Sequence, residues 1–265
     1  MKKVRLDILL SERNMTESRT LAQRLVMAGQ VRVSGQVVLK PSQMINPEDE
    51  IVIDAQPPFV SRGGEKLEAA LMAFRLTDLS GFVCADVGAS TGGFTDCMLQ
   101  HHAERVYAID VGYGILHWKL RNDPRVVSME KTNARFVENL PEKIHLITID
   151  ASFISLKVLL PAVKNWLNSK TKVLALIKPQ FEVGRAEAAK TEGVIRDPSL
   201  HRKVIKTVFG EANELGFYAE GLIRSPLLGP KGNTEFLVLW SLNEPVKRLE
   251  NDMVQTLFGK ENSID

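Results

Sequence analysis

One stretch limits what this 265-residue chain can fold into more than any other. Residues 82–96 read Phe-Val-Cys-Ala-Asp-Val-Gly-Ala-Ser-Thr-Gly-Gly-Phe-Thr-Asp: an apolar run, a loop of small residues, and the opening of an amphipathic segment. From there strand-like segments alternate with helix-like ones. The strand candidates are Phe82–Val87, Arg105–Ile109, Val126–Ser128, His145–Ile149, Val173–Ile177, Tyr218–Ile223 and Phe236–Trp240; Ser199–Leu215 is the clearest helix. Such alternation predicts an α/β fold, a parallel sheet covered on both faces. Seven strands with a late hairpin-like return fit a doubly wound, Rossmann-like domain with one antiparallel strand.

Glycines after the first strand let backbone approach a ligand, and the helix start beyond them offers free N–H groups. Asp110 ends the next strand, 22 residues after Gly88, where a carboxylate can bond a ribose diol. That placement indicates an adenosine-type ligand and leaves nicotinamide dinucleotides and S-adenosylmethionine open. The spacing disfavours a dinucleotide: Gly88 is followed by Gly92-Gly93, so G-x-G-x-x-G is absent. Asp86, just before the loop, suits the cationic end of a methyl donor. The expected donor contacts are Asp86, Gly88, Ser90, Thr91, Gly92, Gly93, Phe94 and Asp110.

Composition excludes other classes. With 44% hydrophobic and 25% charged residues, most of the chain must fold. No run of about 18 apolar residues offers a membrane helix. Met-Lys-Lys turns charged again at Arg5 and Asp7, so no signal-peptide core follows. Two cysteines, Cys84 and Cys97, make neither a disulfide framework nor a zinc site, and a reduced, cytoplasmic protein is expected. His101, His102 and His201 read as surface residues without partners at ligand spacing, so no metal is expected.

Charge is uneven. The first forty residues carry eight basic side chains against three acidic ones, in a chain whose net charge is only +2. An anionic partner for that piece is the implication. Leu6, Leu9 and Leu10, then Leu21, Leu25 and Val26, mark two short helices, the second capped by Thr16 or Ser18 and ended by Gly29. Val31–Val33, Ser34-Gly35 and Val37-Val38 predict a hairpin, and Ile51–Ile53 a closing strand. These residues, with Arg5-Leu6-Asp7 and Ser18-Arg19, resemble the alpha-L RNA-binding motif, a small α+β module. The resemblance implies contacts from Arg5, Arg19, Arg24 and Arg32 to RNA phosphates, which position more than they read bases. The expected organisation is an RNA-binding domain at 1–56, a proline-stiffened linker at 57–60, the main domain at 61–243 and a tail or minor packing element at 244–265, with Val246, Leu249, Met253 and Leu257 as its stripe.

Charged residues also stand at strand ends. Asp150 and Lys178 follow two of the parallel strands, at the edge where open α/β sheets bind ligands. Glu235 opens the last strand and shares that edge if the strand runs antiparallel. Lys66 flanks the apolar stripe Leu67, Ala70, Leu71 and Phe74 and can reach over it. A Lys-Asp-Lys-Glu group has a chemical logic. A ribose hydroxyl is a poor nucleophile and needs a base; a lysine serves where burial and a neighbouring cation favour its neutral form.

With these residues assembled, the chain resembles the TlyA family, an alpha-L domain fused to a methyltransferase domain of the FtsJ type. The most specific runs are 61–67, Asp86–Phe94, 150–156, 177–182 and 229–235. The resemblance implies S-adenosylmethionine-dependent methylation of a ribose 2'-hydroxyl of ribosomal RNA, with cytidine as the base. Its catalytic set falls on Lys66, Asp150, Lys178 and Glu235. It adds Gly112, Asn133 and Ala134 to the donor pocket and Arg62 to the RNA surface, with ribosomal RNA or a ribosomal subunit as partner. Residues 180–197 read as a flap beside Lys178. The competing classes are a non-catalytic RNA-binding assembly factor, a membrane-active haemolysin and a nicotinamide oxidoreductase.

Overall fold

The computed structural model describes residues 3–54, 57–184, 191–244 and 250–259. The chain divides into two compact units, Met1–Pro57 and Pro58–Asp265.

In the first unit β1 (Val4–Arg5) leads into α1 (Leu6–Glu12), then α2 (Arg19–Met27), β2 (Val31–Val33), β3 (Gln36–Val37), β4 (Met44–Ile45) and β5 (Ile51–Ile53). The Ser18 hydroxyl accepts the Leu21 N–H and caps α2, so of the two expected caps it is Ser18 that performs. Ser34 and Gly35 both take positive φ, the two-residue turn that matches strand twist in the β2–β3 hairpin. Leu6, Leu10, Val26, Val31 and Ile45 form the core. Asp7 is buried beneath them. Its carboxylate accepts two bonds from Arg5, one from Arg19 Nε and one from Gln23, and the Arg5 guanidinium holds it well below the ordinary carboxylate range.

The second unit begins with α3 (Gly63–Ala73) and continues β6 (Val83–Val87), α4 (Gly93–Gln100), β7 (Arg105–Ile109), α5 (Trp118–Arg121), β8 (Val126–Met129), β9 (Leu146–Ile149), α6 (Leu156–Lys164), β10 (Lys172–Ile177), α7 (Pro179–Glu182), α8 (Pro198–Glu214), β11 (Tyr218–Arg224), β12 (Phe236–Ser241) and α9 (Glu250–Phe258). One sheet of seven strands has the order β11-β12-β10-β9-β6-β7-β8. Strands β8, β7, β6, β9 and β10 pair in parallel, and β12 runs antiparallel to both its neighbours. The expected doubly wound sheet with one antiparallel strand is present, its strands within a residue or so of the predicted bounds. Strand residues alternate between two apolar layers: Val83, Ala85 and Val87 join α6 and α8 on one face, while Cys84 joins α3 and α4 on the other.

One boundary differs from expectation, and at a second the structure chooses between two expected forms. Residues 57–60 are not a free spacer: Phe59 is 7% exposed in the α3–α4 core layer, and the Val60 N–H donates to Asp96 Oδ2 at 2.8 Å. The prolines masked this because they read as linker whatever follows. Within 244–265, residues 250–259 take the second of the two expected forms, a packing element. Helix α9 buries Val254 and sets the Phe258 ring 5.6 Å from Phe236, with Met253 and Leu257 on the same core; Val246 and Leu249 lie outside the described residues. Among the described residues no helix is long and apolar enough to cross a membrane.

Phe59 seals the end of α3 over Gly64, where even a Cβ would fall 2.2 Å from its ring. Phe59→Ala is therefore expected to cost about 3–5 kcal/mol of unfolding free energy, measured by denaturant titration. A loss under about 0.5 kcal/mol, typical of an exposed site, contradicts the assignment of Phe59 to the core.

Candidate active site

The site begins with sheet order. Strands β7 and β9 leave β6 on opposite sides, so a crevice opens at the carboxyl ends of β6 and β9, the switch point where α/β sheets bind ligands. Val87 pairs with Ile149, which puts the following residues, Gly88 and Asp150, side by side. Gly88 has φ +84°, and a Cβ there would lie 2.8 Å from the Asp150 carbonyl oxygen, so this crossing admits only glycine.

Two cavities meet at that point. One, of about 360 Å³, is lined by Gly88, Ser90, Asp110, Asn133 and Ala134, all expected donor contacts, with Val111, Ile115 and Phe153 as apolar walls. Asp110 closes it: Oδ2 accepts the Ser90 N–H at 2.8 Å and Oδ1 the Gly112 N–H at 2.7 Å. Each oxygen keeps acceptor capacity for a ligand hydroxyl. Asn133 caps a short turn, its side chain accepting the Arg135 N–H. Apolar walls with a half-buried carboxylate and a few further polar groups are what a small-molecule pocket needs to bury and orient its ligand. Thr91, Gly93 and Phe94 line the second cavity instead; Gly92 and Gly112 line neither and shape the turns beside them.

Asp86 departs from expectation. It is wholly buried and lines neither cavity; Thr95 Oγ1 at 2.6 Å and Thr148 Oγ1 at 3.0 Å donate to it, tying α4 and β9 to β6. Its place before the glycine loop suggested a ligand contact, but alternation turns it under the helix. Burial pushes its carboxyl up to about 6.

The second cavity, about 540 Å³, shares Gly88, Ser90, Asp150 and Ser152 with the first and is lined further by Arg62, Lys66 and Lys178. All four members of the predicted catalytic set converge on it. Lys178 Nζ lies 2.7 Å from Asp150 Oδ1 and donates to Ser152 Oγ at 2.9 Å. Lys66 Nζ donates to Glu235 Oε2 at 2.6 Å. Register explains the second pair: Ile177 pairs with Phe236, so the residue leaving β10 and the residue entering antiparallel β12 share an edge. Glu235 is fully buried and reaches the cavity only through Lys66. It packs against Gly229, where a Cβ would fall 2.0 Å from Oε1. Two ammonium groups, each with its own carboxylate, therefore flank one cleft beside a nucleoside-shaped cavity.

Sequence reasoning missed three residues. Ser152, Lys178's hydroxyl partner, falls inside the 150–156 run of the resemblance but received no role of its own. Phe153 is 90% exposed with φ +64°, a strained backbone that recurs at functional sites, and its ring stands 5.1 Å from Phe181. Glu182 accepts the Ser155 hydroxyl at 2.6 Å and the Leu156 N–H at 2.9 Å, tying the loop after β9 to the loop after β10; burial pushes its carboxyl up. Of the expected flap, residues 185–190 lie outside the described residues.

The arginines divide. Arg62 is exposed and lines the second cavity. Arg5 and Arg19 remain partly exposed while anchored on Asp7, Arg32 pairs with Asp54 at 3.0 Å, and Arg24 is exposed on α2. His102 is exposed as expected, while the other two histidines differ from expectation. His101 is not partnerless: Glu68 and the Thr77 carbonyl hold its ring, and Cys97 Sγ donates to the same Glu68, so a histidine, cysteine and carboxylate do gather between α3 and α4. Sequence spacing missed this because Glu68 comes from another helix. His201 is buried and donates to the Ile195 carbonyl.

Burial favours protonated Asp86 in the folded chain. Its stabilising effect is thus complete below the ordinary carboxylate value of 3.8 and is lost as pH rises through about 6. Between about pH 4 and about pH 8, the unfolding free energy of Asp86→Asn should gain about 1–3 kcal/mol on the parent. A difference that stays constant across this window contradicts ionisation of a buried Asp86.

Comparison with known proteins matches the geometry. Residues 59–242 match the model of the FtsJ-like methyltransferase family, and residues 4–51 match the S4 domain. The chain is 40% identical to the 16S/23S rRNA (cytidine-2'-O)-methyltransferase TlyA of Mycobacterium tuberculosis, over 99% of this chain and 96% of that protein. It is 41% identical to Hemolysin A of Brachyspira hyodysenteriae, over 88% and 98% of the two chains. A solved structure of a hemolysin from Streptococcus thermophilus superposes with a TM-score of 0.70 at 41% identity, covering 97% of this chain and 96% of that one. An S4 domain followed by an FtsJ-like methyltransferase domain, with 40% identity to TlyA along almost the whole chain, makes this chain a member of the TlyA family.

Proposed function

We propose that this protein transfers a methyl group from S-adenosylmethionine to the 2'-hydroxyl of a cytidine in ribosomal RNA. The observation that carries this reading is the convergence of two lysine–carboxylate pairs on a cleft that shares a wall with a nucleoside-shaped cavity. The TlyA of Mycobacterium tuberculosis is named for this reaction on 16S and 23S rRNA, and that of Campylobacter jejuni, 31% identical, for 23S rRNA.

When bound, the donor supplies an electrophilic methyl carbon. Asp110 would receive its ribose hydroxyls, Asn133 and Ala134 would border its base, and the Gly88–Ser90 backbone would approach its centre. As a neutral amine, flanked by Asp150 and Ser152, Lys178 would take the proton of the attacking hydroxyl while the methyl carbon passes from the donor's sulfonium sulfur, which leaves as a thioether, to the ribose oxygen. Asp150 shares that proton and keeps the amine aimed at the cleft. Lys66, held from behind by Glu235, orients the acceptor nucleotide through its phosphate or ribose oxygens. Arg62 extends the positive rim. Phe153, on the wall of the smaller cavity and next in sequence to Ser152, which lines both, offers an exposed ring on which an unstacked base can lie. With no metal in this scheme, positioning carries much of the rate.

In the S4 domain, Arg19, Arg24 and Arg32 supply phosphate contacts; Asp7 and Asp54 fix two of them in place and reduce the entropy lost on binding. We place this activity in the cytoplasm, where ribosomal subunits reside. The name hemolysin borne by some relatives does not account for the lysine pairs, whereas methyl transfer does.

Lys66→Ala and Lys178→Ala are each expected to lower methyl transfer to ribosomal subunits by about 10²-fold or more, with subunit affinity within about threefold of the parent. Wild-type rates in both variants, or an equal loss of binding, contradict the assignment. S-adenosylmethionine is expected to raise the melting temperature and reduced nicotinamide dinucleotide to leave it unchanged; the reverse result returns the cavity to the oxidoreductase class. Arg24→Ala should lower the salt slope of RNA binding by about 0.7–0.9, one phosphate contact, and an unchanged slope removes Arg24 from the interface.

A further inference from the structure

The loop that delivers Glu235 is held by a side chain outside the catalytic set. Residues Gly229–Glu235 make a single tight turn in which Lys231 adopts φ +56°; the β11–β12 ladder reaches only its last residue, where the Glu235 carbonyl accepts the Ser225 N–H at 2.9 Å. Inside it Asn233, 2% exposed, engages every polar atom of its amide. Its Oδ1 accepts the Ile195 N–H at 2.9 Å; its Nδ2 donates to the Gly193 carbonyl at 2.9 Å and to the Pro230 carbonyl at 3.0 Å. The Asn233 carbonyl accepts the Gly229 N–H at 2.8 Å, closing the turn under the Glu235 carboxylate. Ile195 is pinned from its other side as well, where its carbonyl accepts from His201, itself edge-on to Phe236.

An acceptor and two donors on one short side chain are what asparagine supplies, and serine, aspartate or leucine cannot reproduce the set. Glu235 needs such support. Its Oε2 holds Lys66, while Oε1 is buried with no hydrogen-bond partner among the described residues. A carboxylate secured at one oxygen takes its aim from its backbone.

We propose that Asn233 is a positioning residue of the transfer site: by locking the Gly229–Glu235 turn to the Gly193–Ile195 segment, it holds Glu235 on Lys66 and Lys66 over the cleft. Asn233 lines neither cavity and touches no reacting atom. The arrangement also joins the segment downstream of Lys178 to the loop of the second lysine pair, so a force on residues 193–195 is felt at Glu235. The rate arm of the test rests on the function proposed above; a second arm does not.

The full-length protein is compared as parent, Asn233→Ala, Asn233→Asp (which keeps an acceptor for Ile195), Glu235→Gln, and Val254→Ala as a destabilising change in α9. In the first arm, methyl transfer to ribosomal subunits should fall about 10–100-fold in kcat for both Asn233 variants, with the donor dissociation constant within about twofold. In the second, acetic anhydride labelling read by mass spectrometry follows Lys66 without any RNA or transfer. Lys66 should acylate several-fold faster in the Asn233 variants, approaching Glu235→Gln, while Lys178 labelling and every rate in Val254→Ala stay near the parent's. Parent-like Lys66 labelling in a folded Asn233 variant, or faster labelling of Lys66 in Val254→Ala, overturns the proposal. Should the parent transfer no methyl, the proposed function fails, and the labelling arm still decides whether Asn233 sets Lys66.

Discussion

The site depends on the insertion of β12, antiparallel, between β10 and β11. In a wholly parallel sheet the residue entering a strand lies at the opposite edge from the residue leaving its neighbour. Reversal of β12 brings its entry, Glu235, level with the exit of β10, Lys178. Every other feature can then be local. Asp150 leaves the next strand along, and Lys66 reaches down from α3 to Glu235. Four charged side chains from four separate segments meet without any long excursion of the chain.

Burial divides their labour. Glu235 is out of contact with solvent, Lys66 and Lys178 are largely covered, and Asp150 is the most open of the four. Isolated charges at such depth are costly, and pairing is what makes them tolerable. Pairing also fixes direction, since each ammonium is aimed by a carboxylate behind or beside it. The inner layer extends to groups that touch no substrate: Asn233 under Glu235, Glu182 beside Ser155, and Asp86 between Thr95 and Thr148. Chemistry on a weak nucleophile relies on such supports, because small misplacements are expensive in rate.

Much of this was legible in the sequence, and the exceptions have a common cause. Strand-and-helix alternation and the glycine loop gave the sheet to within a residue or so at most ends, since period and loop chemistry are local. The lysine and carboxylate set was readable because strand ends map onto one sheet edge once direction is known. What escaped was set by tertiary neighbours. Phe59 looked like linker because Pro57-Pro58 precede it, and only Gly64 on the next helix reveals its pocket. Asp86 looked like a ligand contact because position in a motif does not say which way a side chain turns. His101 looked isolated because Glu68 is 33 residues away, and His201 looked exposed although Phe236 and Ile195 enclose it.

In the function proposed above, the paired lysines act on a ribose hydroxyl and not on a base. This is tested most directly by incubating the purified protein with tritiated S-adenosylmethionine and ribosomal subunits that lack the modification, then hydrolysing the RNA with alkali. Label recovered in an alkali-resistant dinucleotide beginning with cytidine is the predicted result, because a methylated 2'-oxygen cannot attack the adjacent phosphate. Label recovered in mononucleotides, on a base, or no transfer at all contradicts it.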